Sequence, residues 1–178
     1  MKLGTHRLVN LALAFTIYPL LQIGWVTVGL MAGAAILADT LIDSLGHKYS
    51  GRSPIPRRSW RTHQPLTAAL TGGVGGAAIA YAATCLVNMF GLPTPTTWPP
   101  LTIMAGIFAS QIHLLLDLPT GSGIYLTRTR RLAAGHLSWD NGAANLGLSI
   151  LSLLVIVNTF LPAIRLLMQS FTVPFGAQ

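Results

Sequence analysis

The sequence predicts an all-α fold: a polytopic membrane helical bundle of about five transmembrane segments, forming a single integral membrane domain over residues 1–178. Three observations lead there. Charged residues make up 8% of the chain, against roughly 25% in an ordinary globular protein. Apolar residues reach 52%, and the mean hydropathy is +0.59. The apolar residues also fall in runs long enough to cross a hydrocarbon core about 30 Å thick, which takes around 20 residues of helix.

The first apolar region, residues 8–38, is too long for one span. Pro19, followed by Gln22 and Gly24, offers a break, because proline removes a backbone donor and clashes with the preceding turn. The region therefore divides into helices over about 5–20 and 22–45. The first sits at the lower length limit, and a re-entrant segment is its alternative. A third helix, about 66–90, is rich in small residues, and its Gly72-x-x-x-Gly76 pattern is expected to serve packing within the chain rather than a dimer face. The fourth and fifth run over about 101–118 and 143–168. Residues 1–7 do not read as a cleaved signal, since the apolar run behind them is too long for one. The single cysteine, Cys85, excludes an internal disulfide.

The net charge of +7 would suggest nucleic acid in a soluble protein. Here the distribution of charge speaks first for a membrane. With five spans, Lys2, Arg7, Lys48, Arg52, Arg57, Arg58, Arg61, Arg128, Arg130 and Arg131 share one face, and Arg165 alone falls opposite. That asymmetry predicts a cytoplasmic N-terminus and cytoplasmic basic loops.

Acids and histidines are few and spaced. There are four aspartates, no glutamate and five histidines. They read Asp39-x-x-x-Asp43-x-x-x-His47, His113-x-x-x-Asp117 and His136-x-x-x-Asp140, with His6 and His63 standing alone. Residues four apart share a helical face, and carboxylates and imidazoles are ligands for zinc and similar divalent ions. The topology, argued without using these nine residues, places all of them on the basic face. His6, Asp39, Asp43, His63, His113, Asp117, His136 and Asp140 are therefore the candidate metal ligands, with His47 the weakest addition.

Each set also has a plainer reading. Asp39 or Asp43 can cap a helix or pair with an arginine; His113 and Asp117 can simply share a hydrogen bond; Asp140 can be the N-cap of the fifth helix. As metal ligands, the set is large enough for two or three ions that activate water and clamp a phosphoryl group. With no glutamate to act as base, Asp39, Asp43 or a metal-bound hydroxide would serve as the catalytic base. Arg58, Arg61 and Arg131 are the candidate substrate-binding residues, suited to phosphate, although positive-inside topology alone would put arginines there.

These segments resemble a known group. Thr5-His6, Asp39-x-x-x-Asp43, Arg61-Thr62-His63 and Ser110-x-x-His113-x-x-x-Asp117-x-x-Thr120-x-x-Gly123 look like the membrane-bound metal-dependent hydrolases of the YdjM-like kind. Arg130-Arg131 followed by His136-x-x-x-Asp140-Asn141 looks more like an archaeal membrane branch of them. That group is in turn distantly similar to the zinc-dependent phospholipase C and single-strand nuclease superfamily. The resemblance, over about residues 5–145, implies a phospholipase C-like helical arrangement of metal ligands. His6, one of Asp39 and Asp43, His63, His113 and Asp117 would form the core site, with His136 and Asp140 holding a further ion. The chain departs from the pattern in having no histidine between Asp117 and His136, and an aspartate at 140 where glutamate is usual.

The expected function is metal-dependent hydrolysis of a phosphoester by metal-activated water. Zinc is the expected ion and a phospholipid headgroup in the bilayer the expected substrate. A metal or proton transporter and a non-catalytic, metal-stapled membrane protein are the alternatives. Nucleic acid stays open as a partner, with Trp60 and Trp139 the only aromatic residues near the basic loops.

Overall fold

A computed structural model describes residues 1–21, 23–50, 53–138 and 140–172, with the backbone alone for 18–21, 48–50, 53–57 and 163–172. Of the residues used above, Gln22, Arg52 and Trp139 lie outside the described residues, as do the side chains of Pro19, Lys48, Arg57 and Arg165.

Five helices form the body: α1 (Leu3–Leu21), α2 (Trp25–Gly46), α3 (Pro65–Met89), α4 (Trp98–Asp117) and α5 (Gly142–Thr172). All five expected helices are present. The first extends past Pro19 to Leu21, so the break falls a few residues later than the proline. Proline costs one hydrogen bond and crowds the preceding turn, which weakens a helix without ending it at that residue. Within α2, α3, α4 and α5 lie four stretches long and apolar enough to cross a membrane. Side chains such as Leu66, Leu70, Val74 and Tyr81 on α3, and Leu146, Ile150 and Leu154 on α5, point outward, as lipid-facing residues do.

Between the helices lie two small ladders that the hydropathy pattern does not reveal. β1 (His47–Ser50) pairs antiparallel with β2 (Ser53–Arg58), placing His47 opposite Arg58. β3 (Ile124–Tyr125) pairs with β4 (Arg131–Leu132).

The centre of the bundle is α2, which packs against α1, α3 and α4. Its buried positions Val28, Met31, Ala32, Ala35, Ala38, Asp39 and Ile42 recur at helical spacing, so Asp39 occupies a core position in an otherwise apolar stripe. On α4 the buried stripe Thr102, Gly106, Ala109, Ser110, His113 and Asp117 does the same. The two stripes run into the site.

α3 meets α4 through glycine. A Cβ on Gly72 would lie 2.2 Å from the Gly106 carbonyl oxygen, and one on Gly76 would lie 2.5 Å from that of Thr102. The small-xxx-small pattern thus makes a contact within the chain, where missing side chains let two backbones touch.

Candidate metal centre

Antiparallel packing brings the start of α1, the end of α2, the lead into α3 and the end of α4 to one end of the bundle. His6, Asp39, Asp43, His47, His63, His113 and Asp117 come together there. Two groups have ligand atoms within 4.8 Å of one another: His6 with His113 and Asp117, and Asp43 with His47 and His63. The groups abut, because His113 Nε2 lies 3.3 Å from Asp43 Oδ1.

Asp117, fully buried, has two oxygens with different surroundings. Oδ1 lies 2.5 Å from Arg58 Nη2, 2.9 Å from the α-amino group of Met1 and 3.3 Å from His6 Nε2. Oδ2 has no hydrogen-bond partner among the described residues. It faces His113 Nε2 at 3.5 Å and His63 Nε2 at 3.8 Å, which are likewise buried and without hydrogen bonds.

The back of each imidazole shows which nitrogen carries its proton. Thr62 Oγ1 donates to the Ile42 carbonyl at 2.9 Å and lies 3.1 Å from His63 Nδ1. Its one hydrogen is used, so it accepts from Nδ1–H, and the lone pair of His63 sits on Nε2. Burial keeps this ring neutral, lowering its pKa from 6.5 to about 3, with the neighbouring His113 adding to the shift and Asp117 opposing it. Similarly, His113 Nδ1–H donates to Asp39 Oδ1 at 3.0 Å, aiming Nε2 at Asp43 and Asp117. Two imidazole nitrogens thus approach one carboxylate oxygen without hydrogen bonds to it. Around a tetrahedral ion with ligands at about 2.0–2.1 Å, ligand atoms stand about 3.3 Å apart. The donor set fits a divalent ion of the zinc type.

Asp39 stands behind the centre rather than in it. Asn10 Nδ2 lies 3.0 and 2.9 Å from its two oxygens, and His113 completes its partners. Holding a histidine by its far nitrogen is the role of a carboxylate in the layer behind metal ligands. Asp39, expected to ligate or act as a base, thus has Asn10 on both oxygens and His113 on Oδ1. Asp43, offset by one position from the buried stripe of α2, points to the mouth of the site. Its side chain is 14% exposed and that of His47, 3.6 Å from it, is 19% exposed. Partial burial lowers the pKa of His47, with Asp43 opposing the shift.

Arg58 was expected to bind substrate. It is buried, and besides Asp117 it donates to Thr120 Oγ1 at 2.8 Å and the Gly123 carbonyl at 3.3 Å. The Asp117-x-x-Thr120-x-x-Gly123 spacing is therefore an arginine cradle, closed by a hydrogen bond from Thr120 Oγ1 to the Asp117 carbonyl at 2.6 Å. Gly123, at φ +56°, adopts a left-handed turn, and a Cβ there would lie 2.1 Å from the Leu132 carbonyl oxygen. Gly46 is needed for proximity: a Cβ on it would lie 1.9 Å from Thr62 Oγ1 and 2.7 Å from His63 Nδ1.

His136 and Asp140 do not join the centre. Both are exposed, and neither belongs to either ligand group. Their four-residue spacing lies outside any helix, so it does not place them on a common face. The Leu137 N–H donates to the Pro119 carbonyl at 3.2 Å, laying this segment along the outside. Asp140 accepts from Ser138 Oγ, which lowers its pKa. The N-cap of α5 is Asn141, whose Oδ1 accepts from the Ala144 N–H at 2.9 Å. Arg61 and Arg131 are exposed. Arg131 lies over the Tyr125 ring at 4.5 Å, and the Tyr125 hydroxyl donates to the Arg58 carbonyl at 3.1 Å.

Sequence reasoning missed Asn10, Thr62 and the structural use of Arg58. Asn10 carried a signal, as a polar residue four positions beyond His6 in an apolar run. No family model, curated protein or solved structure matches the chain.

Proposed function

We propose that this protein is a membrane-embedded, divalent-metal-dependent hydrolase of phosphoester bonds, acting on a lipid headgroup at the cytoplasmic face. The observation that carries the reading is the approach of His63 Nε2 and His113 Nε2 to Asp117 Oδ2, all buried and without hydrogen bonds, beside the half-buried Asp43. Structural metal sites close around the ion, whereas catalytic ones keep a position open. Asp43 and His47, on the accessible side, give this centre its opening.

Bound there, a divalent ion supplies Lewis acidity and lowers the pKa of a water. His63, His113 and Asp117 would hold it. Asp43 would take a proton from the attacking water as the new P–O bond forms, and the leaving oxygen, released as the old P–O bond breaks, would take up a proton from solvent. Arg58 and Asp39 act one layer back, fixing Asp117 and His113. The ligands sit at helix ends, which suits a headgroup substrate, and the bias of basic residues supports the cytoplasmic side.

The test compares purified parent protein with a His113→Ala/Asp117→Ala variant, measuring bound zinc, manganese and iron and turnover of bis(p-nitrophenyl) phosphate and phospholipid. Stoichiometric metal and hydrolysis in the parent, both lost in the variant, are expected. Absence of metal from the parent overturns the site. Metal without hydrolysis indicates a structural staple, and metal uptake into vesicles indicates a transporter.

A further inference from the structure

The geometry points to a lipid-chain site: a cleft between α1, α2 and α4 that holds one acyl chain of a bilayer lipid, with the headgroup at the centre described above. The chain site stands on its own observations; its catalytic consequence rests on the hydrolase reading.

The cleft has a volume of about 250 Å³. On α4 it is lined by Leu101, Met104, Ala105, Phe108 and Ile112, one face of a helix. Eleven steps of 1.5 Å from Leu101 to Ile112 make a wall about 16 Å long, close to half of a core about 30 Å thick. The cleft is thus as deep as one leaflet. α1 contributes Leu13, Ala14 and Ile17, and α2 contributes Met31 and Ala35. Leu13, Met104 and Phe108 are also exposed, so the cleft is continuous with the bilayer-facing surface and a lipid reaches it sideways. Its volume falls below the roughly 300–1,000 Å³ of sites that enclose a drug-sized ligand. A helix about 10 Å across is too wide for it, which favours a single flexible chain over a second copy of this protein.

The inner end leads to the metal centre. Asn10 is the one polar residue among the described lining residues. Its Nδ2 is directed to Asp39 and, at 3.3 Å, to the Ala109 carbonyl. Asp39 holds His113, which follows Ile112 directly. A chain lying along Leu101 to Ile112 therefore delivers its polar end to the level of His113. The inferred ligand class is a long-chain phospholipid, held by its tail.

The test uses a dimyristoyl phospholipid added to the detergent-purified protein, with retained lipid counted by native mass spectrometry. Ala105→Trp and Ile17→Trp fill the cleft from opposite walls, and Val74→Trp places the same bulk on the outer face of α3. The parent and Val74→Trp should each retain one lipid. The two cleft variants should lose it at least tenfold while keeping the parent's thermal midpoint, and they should still cleave bis(p-nitrophenyl) phosphate. A parent that retains no lipid overturns the proposal, as does undiminished retention in a folded cleft variant; should one variant fail to fold, the other decides. Lipid retention without cleavage of either phosphodiester sinks the hydrolase reading and leaves the cleft standing. Cleavage without lipid retention does the reverse.

Discussion

His113 donates from Nδ1 to Asp39 Oδ1 at 3.0 Å, joining α4 to α2 across 74 positions of sequence. The bond decides which imidazole nitrogen faces the centre. Asp39→Leu removes the acceptor, and zinc affinity should fall about 10–100-fold. Asp39→Asn keeps an acceptor and should lose less. Competition against a fluorescent chelator measures both, and parent-like affinity in Asp39→Leu would remove the residue from this role.

Arg58 neutralises Asp117 from the side away from the unpaired oxygen. Removing one partner of a buried ion pair costs about 3–5 kcal/mol, so Arg58→Met should lower stability by that order. Arg58→Lys keeps the charge but not the fork that reaches Asp117, Thr120 and Gly123 together, and should fall between. Denaturant melts in detergent check this, with chelator and with zinc. A divalent ion on Asp117 replaces part of the missing charge, so zinc should recover part of the loss. Equal losses with and without zinc would separate Arg58 from the centre.

Packing gives a third expectation. Gly106→Ala drives a methyl toward the Gly72 carbonyl, which belongs to backbone and has little freedom to retreat. Overpacking of this kind costs about 1–3 kcal/mol. Gly46→Ala should disturb the position of His63 as well, so its zinc affinity should fall along with its thermal midpoint. Gly106→Ala should lower the midpoint with a smaller effect on zinc.

The pH dependence follows from His63. Its pKa is about 3 in the fold and 6.5 in the unfolded chain, so between those values the unfolded state binds more protons. Stability then rises with pH, by about 1.4 kcal/mol per unit from this residue, and its contribution is complete above 6.5. Metal-free parent should melt progressively lower from pH 7 to pH 4. His63→Gln should flatten that profile, and an unchanged slope would assign the dependence to other groups.

How far the sequence reveals this arrangement differs from residue to residue. The helices were legible because their apolar runs match a bilayer, and His6, His63, His113 and Asp117 were legible because a five-segment topology brings their helix ends together. The spacing of four was informative only where the chain is helical. His113 and Asp117 lie on a continuous helix and share a buried face; His136 and Asp140 have the same spacing outside any helix and stay exposed. Asp39 and Asp43 looked equivalent, yet Asp39 falls on the buried stripe of α2 and Asp43 one position off it. Thr62 and Arg58 were hidden because their parts depend on hydrogen bonds to distant segments, which no local pattern encodes, whereas the spacing of Asn10 from His6 hinted at its place but not at its partner.

Three of the four side-chain carboxylates stand in or directly behind this one centre, and Asp140 alone lies on the surface. Most proteins scatter weak cation sites over acidic surfaces, which blur any titration with metal. Here few other carboxylates compete, so the shape of a zinc isotherm, one step or two, should report the number of ions in the cluster directly.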